Sequence, residues 1–167
     1  KYESHNLWLI DEKLAYCTYI ASDIPLNRND DRTDILILDH PIAVSEEKND
    51  GSEFDTIIIF ELKRPMRDDY TDANNPVLQL SNYLLKIKNG QAQDKNGRPI
   101  KAGTTTKFYL YAVCDITDSL DRILMLQAFS PTPDKMGYYR YNERLNAYIE
   151  ILSYDKILND AKKRNQV

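Results

Sequence analysis

The apolar positions along this chain change period several times, and each change predicts an element. Over residues 6–21, Leu7, Ile10, Leu14, Tyr16, Cys17 and Ile20 recur near the helical period, so a helix is predicted there. Pro25 and the polar run over residues 27–32 predict a loop. Ile35, Leu36, Ile37 and Leu38 form a short apolar run that reads as a buried strand, ended by Pro41. Residues 45–53 read as a charged loop. Residues 56–63 carry the strongest strand signal: Thr56, Ile57, Ile58 and Ile59 are β-branched, and the run stays apolar to Phe60 before Glu61, Leu62 and Lys63.

Pro65 stops that strand, and residues 68–75 read as a polar loop. Asn75 followed by Pro76 is an N-cap with proline at the first helical position; the helix runs to about Lys88, and Gly90 closes it. Residues 91–105 are polar and contain Asn96-Gly97, which predicts a hairpin turn or a mobile loop. A third strand is predicted over residues 107–114. A helix capped by Thr117 or Asp118 follows, with Leu120, Ile123 and Leu124 on its apolar side. Residues 138–141 and 147–151 read as two strands around a turn. Ser153 caps a last helix with Tyr154, Ile157, Leu158 and Ala161 on one face, and Lys162, Lys163 and Arg164 complement its dipole. The order helix, strand, strand, helix, strand, helix, strand, strand, helix predicts one α/β domain over residues 1–167, a mixed sheet flanked by helices.

Composition narrows the function classes. With 167 residues, 42% hydrophobic and 29% charged, the chain can bury a real core and is not disordered. No run of about 18 apolar residues exists, so no transmembrane helix and no membrane partner are expected. Cys17 and Cys114 lack metal-ligand spacing and read as reduced, buried thiols of a cytoplasmic protein. His5 and His40 are the only histidines, which argues against a His-rich zinc site and His-based acid–base chemistry. The net charge of −4 counts against gripping nucleic acid by bulk charge. It does not conflict with carboxylates that hold a metal, because the metal brings the positive charge. The chain starts at Lys1 and its first residues already read as organised sequence, so it is expected to be a piece of a longer protein.

The chemistry concentrates at the end of the strongest strand. Glu61 and Lys63 are two apart, so they project from the same face as Ile57 and Ile59. A carboxylate and an ammonium at the end of an apolar strand are costly to bury unless paired or bound. If the preceding strand pairs with this one as a hairpin, Asp34 can approach Glu61. Two close carboxylates repel, and a hard divalent cation relieves that repulsion. Lys63 beside them can orient a water or stabilise charge growing on a phosphate.

Thr33-Asp34, a loop, and an apolar strand ending Glu61-Leu62-Lys63 resemble the bipartite motif of the PD-(D/E)XK nuclease superfamily. Gln79-Leu80-Ser81-Asn82-Tyr83 is similar to the QxxxY motif of its RecB-like branch, with Gln79 and Tyr83 on one helix face. The resemblance covers roughly residues 12–114. It implies a restriction-endonuclease-like fold and metal-dependent cleavage of DNA with Mg²⁺ or Mn²⁺. It implies Asp34 and Glu61 as metal ligands, the backbone carbonyl of Leu62 as a third, and Lys63 as the catalytic lysine, with Gln79 and Tyr83 beside them. A further carboxylate is expected from the first helix, Glu12 ahead of Asp11 and Glu3. The family's usual proline before the aspartate is Thr33 here, and a strand expected between the first helix and Asp34 is not visible in the pattern. Residues 6–12 also look similar to a segment near the end of large bacterial proteins with a histidine-kinase-like or Hsp90-like ATPase region. That resemblance implies a prokaryotic C-terminal effector domain in DNA repair or phage defence, with the remainder of the parent protein as partner. The residues do not choose between DNA and RNA.

Plainer readings stand beside these. A Glu/Lys pair two apart in a strand is commonly only a salt bridge, which would make this a purely structural domain. The acidic charge, the missing proline and the expected truncation fit instead an inactive nuclease-fold module that binds nucleic acid or protein within a larger ATPase-containing protein. Tyr83 also fits a half-buried helix face, and Glu12 a surface position. Residues 68–72 lack the glycine and terminal glutamate of a calcium loop and read as a solvated loop. Tyr138, Tyr139, Arg140 and Tyr141 can stack on unpaired bases, but a sheet face packed on a helix explains them as well.

Overall fold

The computed structural model describes residues 19–25, 32–39, 53–93, 97 and 99–164; for residues 19–25, 32–39 and 164 it describes the backbone alone. Seven strands form a single sheet, in the order β1-β2-β3-β4-β7-β6-β5. Strands β1 (Tyr19–Pro25), β2 (Arg32–Asp39) and β3 (Phe54–Leu62) form an antiparallel meander. Helix α1 (Pro76–Lys88) then connects β3 to a parallel neighbour, β4 (Ala102–Val113). After helix α2 (Asp118–Leu126) come β5 (Ser130–Pro131), β6 (Gly137–Asn142) and β7 (Ala147–Leu152), with β7 parallel to β4. Helix α3 (Tyr154–Arg164) closes the described chain.

The alternation of side chains along β3 and β4 sorts the core into two layers. Ile57 and Ile59 of β3 and Leu110 and Ala112 of β4 pack with Leu80, Leu84 and Ile87 of α1 and with Leu120, Ile123 and Leu124 of α2. Ile58, Phe60, Tyr111 and Val113 face the other way, onto Ile157 of α3. There Phe60 and Tyr111 stack with centroids 4.8 Å apart. Strand β3 is apolar on both faces because both faces are covered. Among the described residues no helix is long and apolar enough to cross a membrane.

The termini of α1 follow its sequence. Asn75 Oδ1 accepts from the Leu78 N–H at 2.9 Å, and Pro76 needs no partner at the first turn. Gly90 takes φ +68°, and its N–H reaches the Ile87 carbonyl at 3.0 Å.

Several expectations need correction. Tyr19–Ala21, read as the end of a helix, belongs to β1, while residues 6–18 lie outside the described residues. The β2 run is flanked on both sides: Ile20 pairs with Ile37, which also pairs with Ile58. That neighbour is the strand missing from the hydrophobic pattern. Strand β4 starts at Ala102, five residues before the expected Lys107. Its early part is held at an irregularity, where Thr106 Oγ1 donates to the Phe54 carbonyl at 2.7 Å and accepts from Gly103 N–H at 2.8 Å. The two-residue β5 was too short to leave a pattern. Leu158, placed on the apolar face of α3, is 52% exposed, whereas Ile157 and Ala161 are buried.

Candidate active site

Strand β3 carries its apolar character to Phe60 and then delivers Glu61 into the layer under α1. Glu61 is only 4% exposed. Its Oε1 accepts from Lys63 Nζ at 2.6 Å and from Gln79 Nε2 at 2.8 Å. Lys63 lies just past the strand, on the same side, and donates also to Gln79 Oε1 at 2.5 Å. Gln79 Nε2 further donates to the Tyr83 hydroxyl at 2.5 Å. The amide of Gln79 is thus fixed by its neighbours: its oxygen faces the ammonium and its nitrogen the carboxylate and the phenol. Gln79 and Tyr83 reach the site together because residues four apart share a helix face. Tyr83 is also buried.

Asp34 is the third residue of β2. The β2–β3 register ends where Ile35 pairs with Phe60, and Asp34 and Glu61 are the next residues of the two strands at that end. Leu62 presents its side chain to the opposite face, 45% exposed. Glu12, Asp11 and Glu3 lie outside the described residues. Among the described residues no group of three or more His, Cys, Asp or Glu gathers as a metal cluster. The expected donor set, two carboxylates and a carbonyl, is all oxygen, which suits a hard cation such as Mg²⁺ or Mn²⁺.

Cys114 follows β4 close to this cluster and is fully buried. Burial, helped by the charge of Asp115, pushes its thiol up to about 12, and Lys63 pulls only weakly the other way. Burial therefore favours the protonated thiol at neutral pH.

The loop after Lys63 is solvated at Asp68, Asp69, Thr71 and Asp72, as expected from its charges, but it is not loose. It is strapped to the start of α2. The Met66 N–H, on a residue with φ +56°, reaches Asp115 Oδ2 at 2.7 Å. Thr117 Oγ1 donates to the Arg67 carbonyl at 2.9 Å, and Asp68 Oδ1 accepts the Ser119 N–H at 2.9 Å. Asp68 therefore caps α2 from outside the helix, and that backbone hydrogen bond holds its carboxyl below the usual range. Tyr70 is 4% exposed and belongs to the core. Sequence reasoning missed these bracing residues because the contacts span about fifty positions. An open groove of about 340 Å³ adjoins the cluster; its described lining includes Asn75, Gln79, Asn82, Tyr83 and Lys86.

The tyrosine-rich strand β6 divides by face. Tyr138 packs against the α2 layer and donates to Asp121 at 2.6 Å. Tyr139 and Tyr141 are exposed on the other face, where Tyr139 stacks on Tyr148 with centroids 6.4 Å apart.

Compared with protein-family models, curated proteins and solved structures, the chain matches none.

Proposed function

We propose that this chain is a nuclease domain of restriction-endonuclease-like fold that hydrolyses DNA phosphodiester bonds with Mg²⁺ or Mn²⁺, in a prokaryotic cytoplasm. The observation that carries the reading is the linked set Glu61, Lys63, Gln79 and Tyr83 at the end of β3, with Asp34 on the adjoining strand β2. Chance placement of a Glu/Lys pair would not bring the glutamine of the next helix onto the same carboxylate, with the tyrosine one turn on bonded to that glutamine.

Asp34, Glu61 and the Leu62 carbonyl would hold the cation. When bound, it would polarise a phosphoryl oxygen and lower the pKa of a water. Lys63 has three N–H donors; Glu61 and Gln79 engage two, which leaves one for a phosphate oxygen whose charge grows in the transition state. Gln79 keeps the ammonium and the carboxylate in fixed relation, so no reorganisation is needed as charge develops. The adjoining groove lets an extended strand reach these groups.

A second reading rests on the ion pair. Lys63 already neutralises Glu61 at 2.6 Å, and the net charge is −4. A module that binds nucleic acid or protein without cutting within a larger parent protein would show both features.

Cleavage of supercoiled plasmid and single-stranded DNA in Mn²⁺ separates the two. The nuclease reading expects cutting by the wild type that EDTA abolishes and that Glu61→Ala and Lys63→Ala each reduce to a small residual rate. Binding without cutting, unaffected by Lys63→Ala, would sink it in favour of the second.

A further inference from the structure

Lys63 is held from both faces of the sheet. From the α1 side, Glu61 and Gln79 fix its ammonium. Its backbone sits where β3 has ended: the N–H still reaches the Val113 carbonyl at 2.9 Å, but Pro65, two residues on, cannot continue the ladder. The Lys63 carbonyl instead accepts the hydroxyl of Tyr154 at 2.5 Å, a contact across 91 positions from the first residue of α3.

Tyr154 is itself firmly placed. It packs with Phe60, Tyr111, Leu152 and Ile157 in the second core layer. The helix start is capped by Ser153 Oγ, which accepts the Lys156 N–H at 3.1 Å. Lys156 pins the same turn to Asp134 at 2.5 Å and to Asp160 at 3.1 Å.

We propose that Tyr154 is a positioning residue: its hydroxyl fixes the backbone of Lys63 and so sets where the ammonium points. The proposal rests on the nuclease reading for its kinetic consequence but not for its structural one. A flexible four-carbon stem transmits a backbone shift directly to its terminal nitrogen. Catalytic groups tolerate displacements of about 0.5 Å before rate is lost.

The test is Tyr154→Phe, which keeps the ring and its packing. The melting temperature is expected to fall by no more than about 6 °C, the loss of one hydrogen bond in a chain of this size. Side-chain NMR of ¹⁵N,¹³C-lysine protein should show the Lys63 Nζ–Cε signal shifted or broadened, with Lys63→Ala supplying the assignment. In Mn²⁺, kcat should fall about tenfold with KM unchanged, and the change should have no further effect on residual cutting in the Lys63→Ala background. An unchanged Lys63 signal in a folded Tyr154→Phe protein overturns the proposal, as does an equal rate loss in both backgrounds. If the wild type cuts no DNA, the functional reading fails, while the lysine signal still decides the role of Tyr154.

Discussion

Replacing Gln79 by leucine tests whether the cluster is a working assembly. The change keeps the size of the side chain but removes the acceptor 2.5 Å from Lys63 Nζ and the donor 2.8 Å from Glu61 Oε1. Hydrogen bonds to charged groups contribute about 1.5–3 kcal/mol each. Lys63 and Glu61 keep each other at 2.6 Å, so the two losses do not add fully. A net cost of about 2–4 kcal/mol follows, or a melting temperature lower by about 4–16 °C at 2–4 °C per kcal/mol. Circular dichroism melts read this directly. The companion change Gln79→Glu retains an acceptor for Lys63 but sets a second carboxylate beside Glu61. Mutual repulsion raises the carboxyl's folded pKa, so that variant recovers stability as pH falls and loses it as pH rises through that value. Melting of Gln79→Leu within about 1 °C of wild type would refute the reasoning, since the amide would then hold nothing.

Two further outcomes follow from the same structure. Asp134 is held well below the usual carboxylate range, first by its hydrogen bond from Lys156 and then by those from Thr132 and the Met136 N–H. Its folded pKa is depressed, so its contribution is present above the ordinary value of about 3.9 and is lost as pH falls below it. Asp134→Asn should therefore melt below wild type at pH 7, with the gap narrowing steadily as pH falls below about 4; a gap independent of pH contradicts this. The Tyr70 hydroxyl is buried and has no hydrogen-bond partner among the described residues, and burial pushes it up to about 12. Tyr70→Phe should leave stability unchanged or raise it by up to about 1 kcal/mol in urea titrations, and a clear loss would show that the hydroxyl is bonded.

Legibility in the sequence followed the locality of the cause. The β3 strand, both ends of α1 and the hairpin of β6 and β7 were readable because Ile57–Ile59, Asn75-Pro76, Gly90 and the tyrosine run act within a few residues. The site was readable for the same reason, since two short periods, i+2 in a strand and i+4 in a helix, placed Glu61 with Lys63 and Gln79 with Tyr83. Strand β1 was not, because Tyr16, Cys17 and Ile20 fit a helical period, and only pairing with β2 decides Tyr19–Ala21. The strap after Lys63 and the Tyr154 contact were invisible, because residues 49 to 91 positions apart supply their partners. Leu158 illustrates the reverse error: an apolar residue at the right period that the α3 layer leaves exposed.

In the proposed nuclease, two carboxylates from neighbouring antiparallel strands, Asp34 and Glu61, would serve one cation. Mn²⁺ titration followed by electron paramagnetic resonance, on wild type, Asp34→Ala, Glu61→Ala and Lys63→Ala, tests it most directly. The expected result is binding in the wild type, loss in both carboxylate variants, and retention in Lys63→Ala, where the competing ammonium is gone. Absence of binding in the folded wild type, or binding that Asp34→Ala leaves intact, would contradict it.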